Sequence, residues 1–240
     1  MSIIVTPTQA LLSKLLIRKW TEMAAAAISC RNRFIVALSG GKSPIPFYRA
    51  LSKLTKGSLW TKTHVFLVDE RYVSLDHPES NFRMLKKNLI DPLNIPTRNI
   101  HPIPTGAADI RKVAWQYERD IKSFFRLHNN EPPVFDLILL GLGQDGHIAS
   151  LFPGTRALEE KRKWVATVTE DHVKPPRITL TLPVLTRART IIIYAPGKQK
   201  ADILKQALED QNKKSLPVHH IKAGRAQLYF WVDQGAANLL

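Results

Sequence analysis

Residues Phe135 to Gly154 read FDLILLGLGQDGHIASLFPG, and how they fold decides how the rest of the chain is arranged. Phe135 to Leu140 is an apolar run of strand length with one acid, Asp136, near its start. That pattern belongs to a strand buried on both faces of a parallel sheet. The run passes into Gly141-Leu142-Gly143-Gln144-Asp145-Gly146-His147, where glycines let the backbone turn sharply and come close to a ligand. Open α/β sheets bind ligands outside the carboxyl ends of their strands. A histidine at that place, beside Asp145 and walled by Leu151 and Phe152, is a candidate general base. The competing reading is that His147 only satisfies buried backbone groups in a tight loop.

Gly141, Gly143 and Gly146 also fit G-x-G-x-x-G, the dinucleotide fingerprint, which requires a long helix from the third glycine. Pro153 follows Gly146 by seven residues, so a turn or two of helix is all that fits. Glu170 lies at a tolerable distance for a ribose-binding acid, but without the helix no cofactor is expected.

Working outward on both sides, apolar runs and helical stripes alternate. Thr6-Pro7-Thr8-Gln9 predicts a capped helix start with Thr6 as cap and Pro7 at the first helical position. Leu12, Leu16, Trp20, Met23, Ala24 and Ala27 then recur at helical spacing to about Ser29. A strand over 33–38 ends in Ser39-Gly40-Gly41-Lys42-Ser43-Pro44, where Ser43 is expected to cap a helix opened by Pro44. A strand, a glycine pair and a helix start form an anion site, because free N–H groups converge there. The Walker spacing is absent, and an ordinary strand-to-helix turn is the alternative. A third strand over 64–68 ends in Asp69-Glu70-Arg71-Tyr72-Val73; charges at the end of a buried strand are costly unless paired or used. Ser80-Asn81 caps a helix to Ile90, and another runs from about Ala107 to Leu127. Beyond Gly154, strands are expected over 164–169, 177–183, 190–194 and 227–232, with a helix carrying Lys198, Lys200, Leu204 and Leu208. This alternation implies one doubly wound, mostly parallel α/β domain over residues 1–240, with helices on both faces.

At 240 residues with 44% hydrophobic and 23% charged content, the composition is that of a globular protein able to bury a large core. No apolar stretch approaches a membrane span, and residues 1–30 lack a signal-peptide pattern. One cysteine, Cys30, excludes an internal disulfide and argues for a reducing, cytoplasmic setting; it is expected to be small and partly buried. The net charge of +15 fits nucleic acid, an anionic surface or an acidic small molecule. The bases fall in short groups (Arg18-Lys19, Lys86-Lys87, Arg111-Lys112, Lys161-Arg162-Lys163, Lys213-Lys214), with no nucleic-acid-binding motif beside them. Most of them read as solvated helix faces and loops, and the excess is expected to steer an acidic small molecule inward. No nucleic-acid or membrane partner is expected; a monomer or weak homodimer is expected, though the sequence itself does not give the oligomeric state. His219-His220 has no cysteine or carboxylate spacing to complete a metal site; these are expected to be surface histidines, and no metal is expected.

Three loops after three apolar strands thus carry chemistry: SGGKSP (39–44), DERYV (69–73) and GLGQDGHIASLFPG (141–154). With Asp76…Ser80-Asn81, Arg177-Ile-Thr-Leu-Thr and Gly197-x-x-Lys200-Ala201, this ordered set resembles the 6-phosphogluconolactonase family, within the wider glucosamine-6-phosphate isomerase/6-phosphogluconolactonase superfamily. The resemblance spans nearly the whole chain. It implies a modified Rossmann-like fold and metal-free, cofactor-free hydrolysis of 6-phospho-D-glucono-1,5-lactone to 6-phosphogluconate, in the oxidative pentose phosphate pathway. It implies His147 as general base, with Asp145 orienting the imidazole. Gly40, Gly41, Lys42 and Ser43 would take the phosphate, with Arg177 and Lys200 as charge partners. Arg71 would contact phosphate or oxyanion, and Asp69 the sugar hydroxyls or the loop itself; a buried partner for an arginine is the plainer reading of Asp69 and Glu70. The superfamily's amino-sugar isomerases follow the Asp-Gly-His loop with a glutamate that pairs with the histidine. Here that stretch is Ala149-Ser150-Leu151-Phe152-Pro153, without a carboxylate, which favours the lactonase over a deaminase/isomerase. A non-catalytic phosphosugar sensor is a third reading, disfavoured by the intact Asp-Gly-His loop. Lys42-Ser43 departs from relatives that carry a small residue and threonine, which implies altered affinity.

Overall fold

The computed structural model describes residues 1–55, 57, 59–127, 131–209, 216–221 and 226–240; the Lys213-Lys214 pair lies outside them. In order the chain forms β1 (Ser2–Thr6), α1 (Gln9–Arg31), β2 (Phe34–Leu38), α2 (Ile45–Leu54), β3 (Thr63–Leu67), β4 (Asp69–Arg71), α3 (Asn81–Leu85), α4 (Asp91–Leu93) and β5 (Ile100–His101). It continues with α5 (Ile110–Phe125), β6 (Leu137–Leu140), α6 (Arg156–Glu159), β7 (Val165–Val168), β8 (Arg177–Leu180), α7 (Leu182–Leu185), β9 (Thr190–Tyr194), α8 (Ala201–Glu209) and β10 (Gln227–Asp233).

Seven strands form a doubly wound parallel sheet in the order β1-β10-β9-β6-β2-β3-β5. From the β1 edge the chain crosses to β2, steps outward through β3 to β5, then returns to β6 on the other side of β2. The direction of winding therefore reverses between β2 and β6. Crevices for ligands open at such reversals, outside the carboxyl ends of the strands. Both strands are wholly buried and apolar, as central parallel strands must be with both faces covered. Ser39 N–H donates to Leu139 O at 3.1 Å and ties the end of β2 to β6, and Val68 N–H donates to Leu38 O at 3.0 Å and ties the end of β3 to β2. Trp20, Phe34, Phe47 and Trp60 pack beneath α1 and α2, with Trp20 edge-on to Phe34 at 5.4 Å.

Asp136, the acid within the deciding stretch, works at the opposite end of the sheet. It accepts from Ile35 N–H at 2.9 Å and from the Arg31 guanidinium at 2.7 Å. A buried carboxylate is tolerated there because its oxygens are satisfied by donors.

Several sequence expectations change. Residues Ser2–Thr6 form a parallel edge strand beside β10, with Ile3 and Val5 exposed. That pairing extends the backbone through Thr6, so the cap of α1 shifts to Thr8, whose hydroxyl accepts from Leu11 N–H at 3.3 Å. Gln9 does not reach back to a cap; its amide donates to Ser43 O at 3.0 Å. Nor does Ser43 cap α2: Pro44 holds that place in an αR conformation, without a side-chain cap bond. The strands expected over 164–169 and 177–183 leave the main sheet and pair with β4 in an antiparallel three-stranded sheet, β4-β8-β7. Leu180 N–H donates to Val68 O at 2.8 Å and joins the two sheets. Cys30 is exposed. His219 and His220 lie on a 3₁₀ turn, Pro217–His220, with His219 buried and its Nδ1 accepting from Leu216 N–H at 3.3 Å.

Candidate active site

The loops after β2 and β6 and the start of β4 enclose a cleft of about 580 Å³. His147, Asp145, Gly40, Gly41, Lys42, Ser43, Asp69, Arg71 and Lys200 all line it. Arg177, the remaining predicted residue, is not in the wall; it stands directly across the β4–β8 ladder from Arg71.

The loop after β6 folds back on itself. Gly143 N–H donates to His147 O at 2.8 Å, and Gly146 N–H to Gly143 O at 3.2 Å. Gly146 carries a φ of 78°, a conformation that favours glycine. At Gly143 the constraint is space: a Cβ there would sit 2.1 Å from His147 Nδ1. The imidazole is therefore packed on glycine at one face and on Phe152 nearby, at 4.3 Å between ring centroids. Asp145 Oδ1 lies 2.5 Å from His147 Nδ1 and accepts from His147 N–H at 3.2 Å. Burial pushes the Asp145 carboxyl up, but its bonds to the His147 ring and backbone and the ring's charge prevail and bring it below the usual carboxylate range. A carboxylate accepting at Nδ1 leaves Nε2 as the nitrogen that takes a proton.

In the wall of the same cleft, Gly40 and Gly41 (φ 87°) turn the chain from β2 into α2. Gly40 is fixed by packing, since a Cβ would fall 1.8 Å from Asn81 Oδ1. Asn81 in turn donates from Nδ2 to Asp69 O at 2.9 Å and accepts from Arg71 Nη1 at 2.7 Å. One amide thus joins the glycine loop, the acidic strand and a cation; the sequence marks Asn81 as a helix start and as part of a matched motif, but assigns it no place in the site. Arg71 Nη1 also donates to Glu79 O at 2.8 Å.

The two acids of β4 do different work, and neither makes an ion pair within 4.0 Å among the described residues, contrary to the arginine-partner reading. Asp69 accepts from Ser150 Oγ at 2.6 Å and borders the cleft. Glu70 is fully buried and accepts from the N–H groups of Arg71, Asn81 and Phe82 and from Ser80 Oγ. Burial raises its pKa and those four donors oppose the rise. Glu70 anchors the loop and the start of α3, and is not in the cleft wall.

The cations are partly desolvated. Lys200 Nζ donates to Leu142 O at 2.6 Å; burial lowers its pKa while Asp145 raises it. Arg177 donates to Pro175 O, and burial followed by repulsion from Arg71 lowers its pKa against the opposing pull of Asp69, Glu79 and Glu70. Two neighbouring guanidiniums and a half-buried ammonium create a demand for a negative group. Among the described residues no group of three or more His, Cys, Asp or Glu is placed to hold a metal ion, and no helix is long and apolar enough to cross a membrane.

This fold, with a His–Asp pair and a glycine-lined loop in the wall of one cleft, defines a class. Residues 7–231 match the family described as glucosamine-6-phosphate isomerases/6-phosphogluconolactonase, and the chain belongs to that family. Within it, the chain is 40% identical over 221 residues to the 6-phosphogluconolactonase of Synechocystis sp., covering 92% of this chain and 90% of that one. The human 6-phosphogluconolactonase is 37% identical, with 90% and 84% covered. The solved 6-phosphogluconolactonase of Trypanosoma brucei superposes with a TM-score of 0.88 at 30% identity, over 100% of this chain and 98% of that one.

Proposed function

We propose that this chain is a 6-phosphogluconolactonase that hydrolyses 6-phospho-D-glucono-1,5-lactone with His147 as general base. The observation that carries the reading is that one cleft is lined by both the His147–Asp145 pair and the 40–43 loop. Nε2 takes a proton from water as the oxygen attacks the lactone carbonyl carbon. The imidazolium, held by Asp145, then returns the proton to the ring oxygen as the ester bond breaks. General acid–base help of this kind contributes roughly 10²- to 10⁴-fold, a large share of what opening an activated ester requires. The phosphate lies against the amides of Gly40 and Gly41, the Ser43 hydroxyl and Lys42. Lys200, Arg71 and Arg177 supply positive charge, and Asp69, oriented by Ser150, meets sugar hydroxyls. On this reading the enzyme serves the oxidative pentose phosphate pathway, and the single cysteine supports a reducing, cytoplasmic setting.

The amino-sugar isomerase alternative needs a further carboxylate, besides Asp145, from the stretch that follows the Asp-Gly-His loop. Residues 149–153 offer none, and Ser150 is occupied with Asp69. The test supplies fresh lactone, made in situ from glucose 6-phosphate, and follows acid release above the spontaneous rate. Wild-type protein accelerates release and His147→Ala loses at least about 10²-fold. Unchanged turnover in that variant rejects the base assignment, and ammonia from glucosamine 6-phosphate rejects the choice of lactonase.

A further inference from the structure

Ser39 stands between the two functional loops, directly before Gly40 and bonded through its N–H to the end of β6. Its carbonyl is taken as well, accepting from Tyr48 OH at 2.7 Å. The backbone is thus pinned from both sides. The residue borders the cleft yet is only 6% exposed, and its Oγ has no hydrogen-bond partner among the described residues. The other buried side-chain atoms in that condition, on Trp20, Thr105 and Trp231, belong to residues outside the cleft wall.

A buried hydroxyl without a partner is costly, and alanine or glycine in the same place would remove the cost. None of the described residues supplies a partner, which leaves the ligand side of the cleft. Ser39 belongs to the wall shared by the Gly40–Gly41 turn and the Gly141–Gly143 run, and its hydroxyl has staggered wells to choose between. A molecule held by its phosphate at the first and by its carbonyl near His147 presents its middle carbons there. We infer that Ser39 is a specificity-determining contact, donating a hydrogen bond to a secondary hydroxyl of the polyhydroxylated substrate. This rests on the lactonase reading for the identity of the substrate.

The experiment compares wild type and Ser39→Ala on the phosphorylated lactone and on its 2-, 3- and 4-deoxy analogues. One deoxygenation lowers wild-type kcat/KM by about ten-fold or more; Ser39→Ala loses a similar factor on the parent and nothing further on that one analogue. The other two deoxygenations cost both proteins equally. Equal penalties at all three positions, or an unchanged parent rate in the variant, overturn the inference. Ser39→Gly serves in the same way if the alanine variant does not fold. Calorimetric titration of 6-phosphogluconate and its monodeoxy counterparts gives the same comparison without turnover. A wild-type protein that binds these acids but does not hydrolyse the lactone fails the lactonase reading and leaves the Ser39 comparison intact.

Discussion

Gly143→Ala separates the position of the imidazole from everything else in the site. The added Cβ would lie 2.1 Å from His147 Nδ1, 2.3 Å from Cε1 and 2.6 Å from Asp145 Oδ1. Contacts between such atoms need more than 3 Å, so the ring or the loop must move by about 1 Å. The 2.5 Å bond between Nδ1 and Asp145 resists rotation of the ring alone, and the His–Asp pair shifts together or separates. A misplacement of that size costs about 10²-fold in rate when the displaced group acts on the reacting atom. The three atoms nearest the added Cβ all belong to His147 and Asp145 and none to the 40–43 loop, so substrate affinity stays within about two-fold. Stability changes by about 1 kcal/mol, or 2–4 °C in Tm, because the imidazole is partly exposed and has room to move outward. Steady-state acid release gives kcat and KM, and a thermal melt with calorimetry of 6-phosphogluconate gives the rest. A variant with wild-type kcat would refute the role given to the ring, as would one whose KM rises while kcat is untouched.

Lys200→Ala removes a half-buried cation from the cleft wall and its bond to Leu142 O; KM for the phosphorylated lactone should rise by about ten-fold or more, with a smaller change in kcat. A wild-type KM would exclude Lys200 from phosphate binding. Far from the cleft, His64 Nδ1 and His101 Nε2 lie 3.2 Å apart against Phe66 and Phe124. Burial and then His64 push the His101 imidazole down from 6.5 to about 4, and burial, Arg33 and Arg98 lower His64. The unfolded chain therefore binds more protons below about pH 6.5. This contribution is complete above that pH and is lost as pH falls towards 4. Partial exposure limits it to on the order of 1–2 kcal/mol. Urea melts at pH 7 and pH 5 should show that loss in the wild type and much less in a His64→Phe/His101→Phe variant; equal losses would remove the pair from the acid limb.

The strand-and-helix alternation was legible because its signals are local: apolar runs of five, glycine turns, and helical stripes such as Leu12–Leu16–Trp20. β1 was not, because an edge strand leaves Ile3 and Val5 exposed and shows no clean alternation. The second sheet also escaped, since pairing of β4 with β8 joins residues about a hundred positions apart and no local pattern records it. The candidate site divides in the same way. His147, Asp145 and the glycine loops announce themselves by residue type and place, whereas the contacts of Asn81 with Gly40, Asp69 and Arg71 and the unpartnered hydroxyl of Ser39 are visible only in space. Ser43 was read as a cap because the side chain suits one, but Pro44 occupies that place and leaves the hydroxyl to the cleft.

The most direct test is a crystal structure of the protein with 6-phosphogluconate bound. The phosphate is expected on the amides of Gly40 and Gly41, with C1 at the far end of the molecule beside His147 Nε2. A phosphate seated elsewhere, or a C1 carboxylate beyond hydrogen-bond reach of that nitrogen, would contradict it.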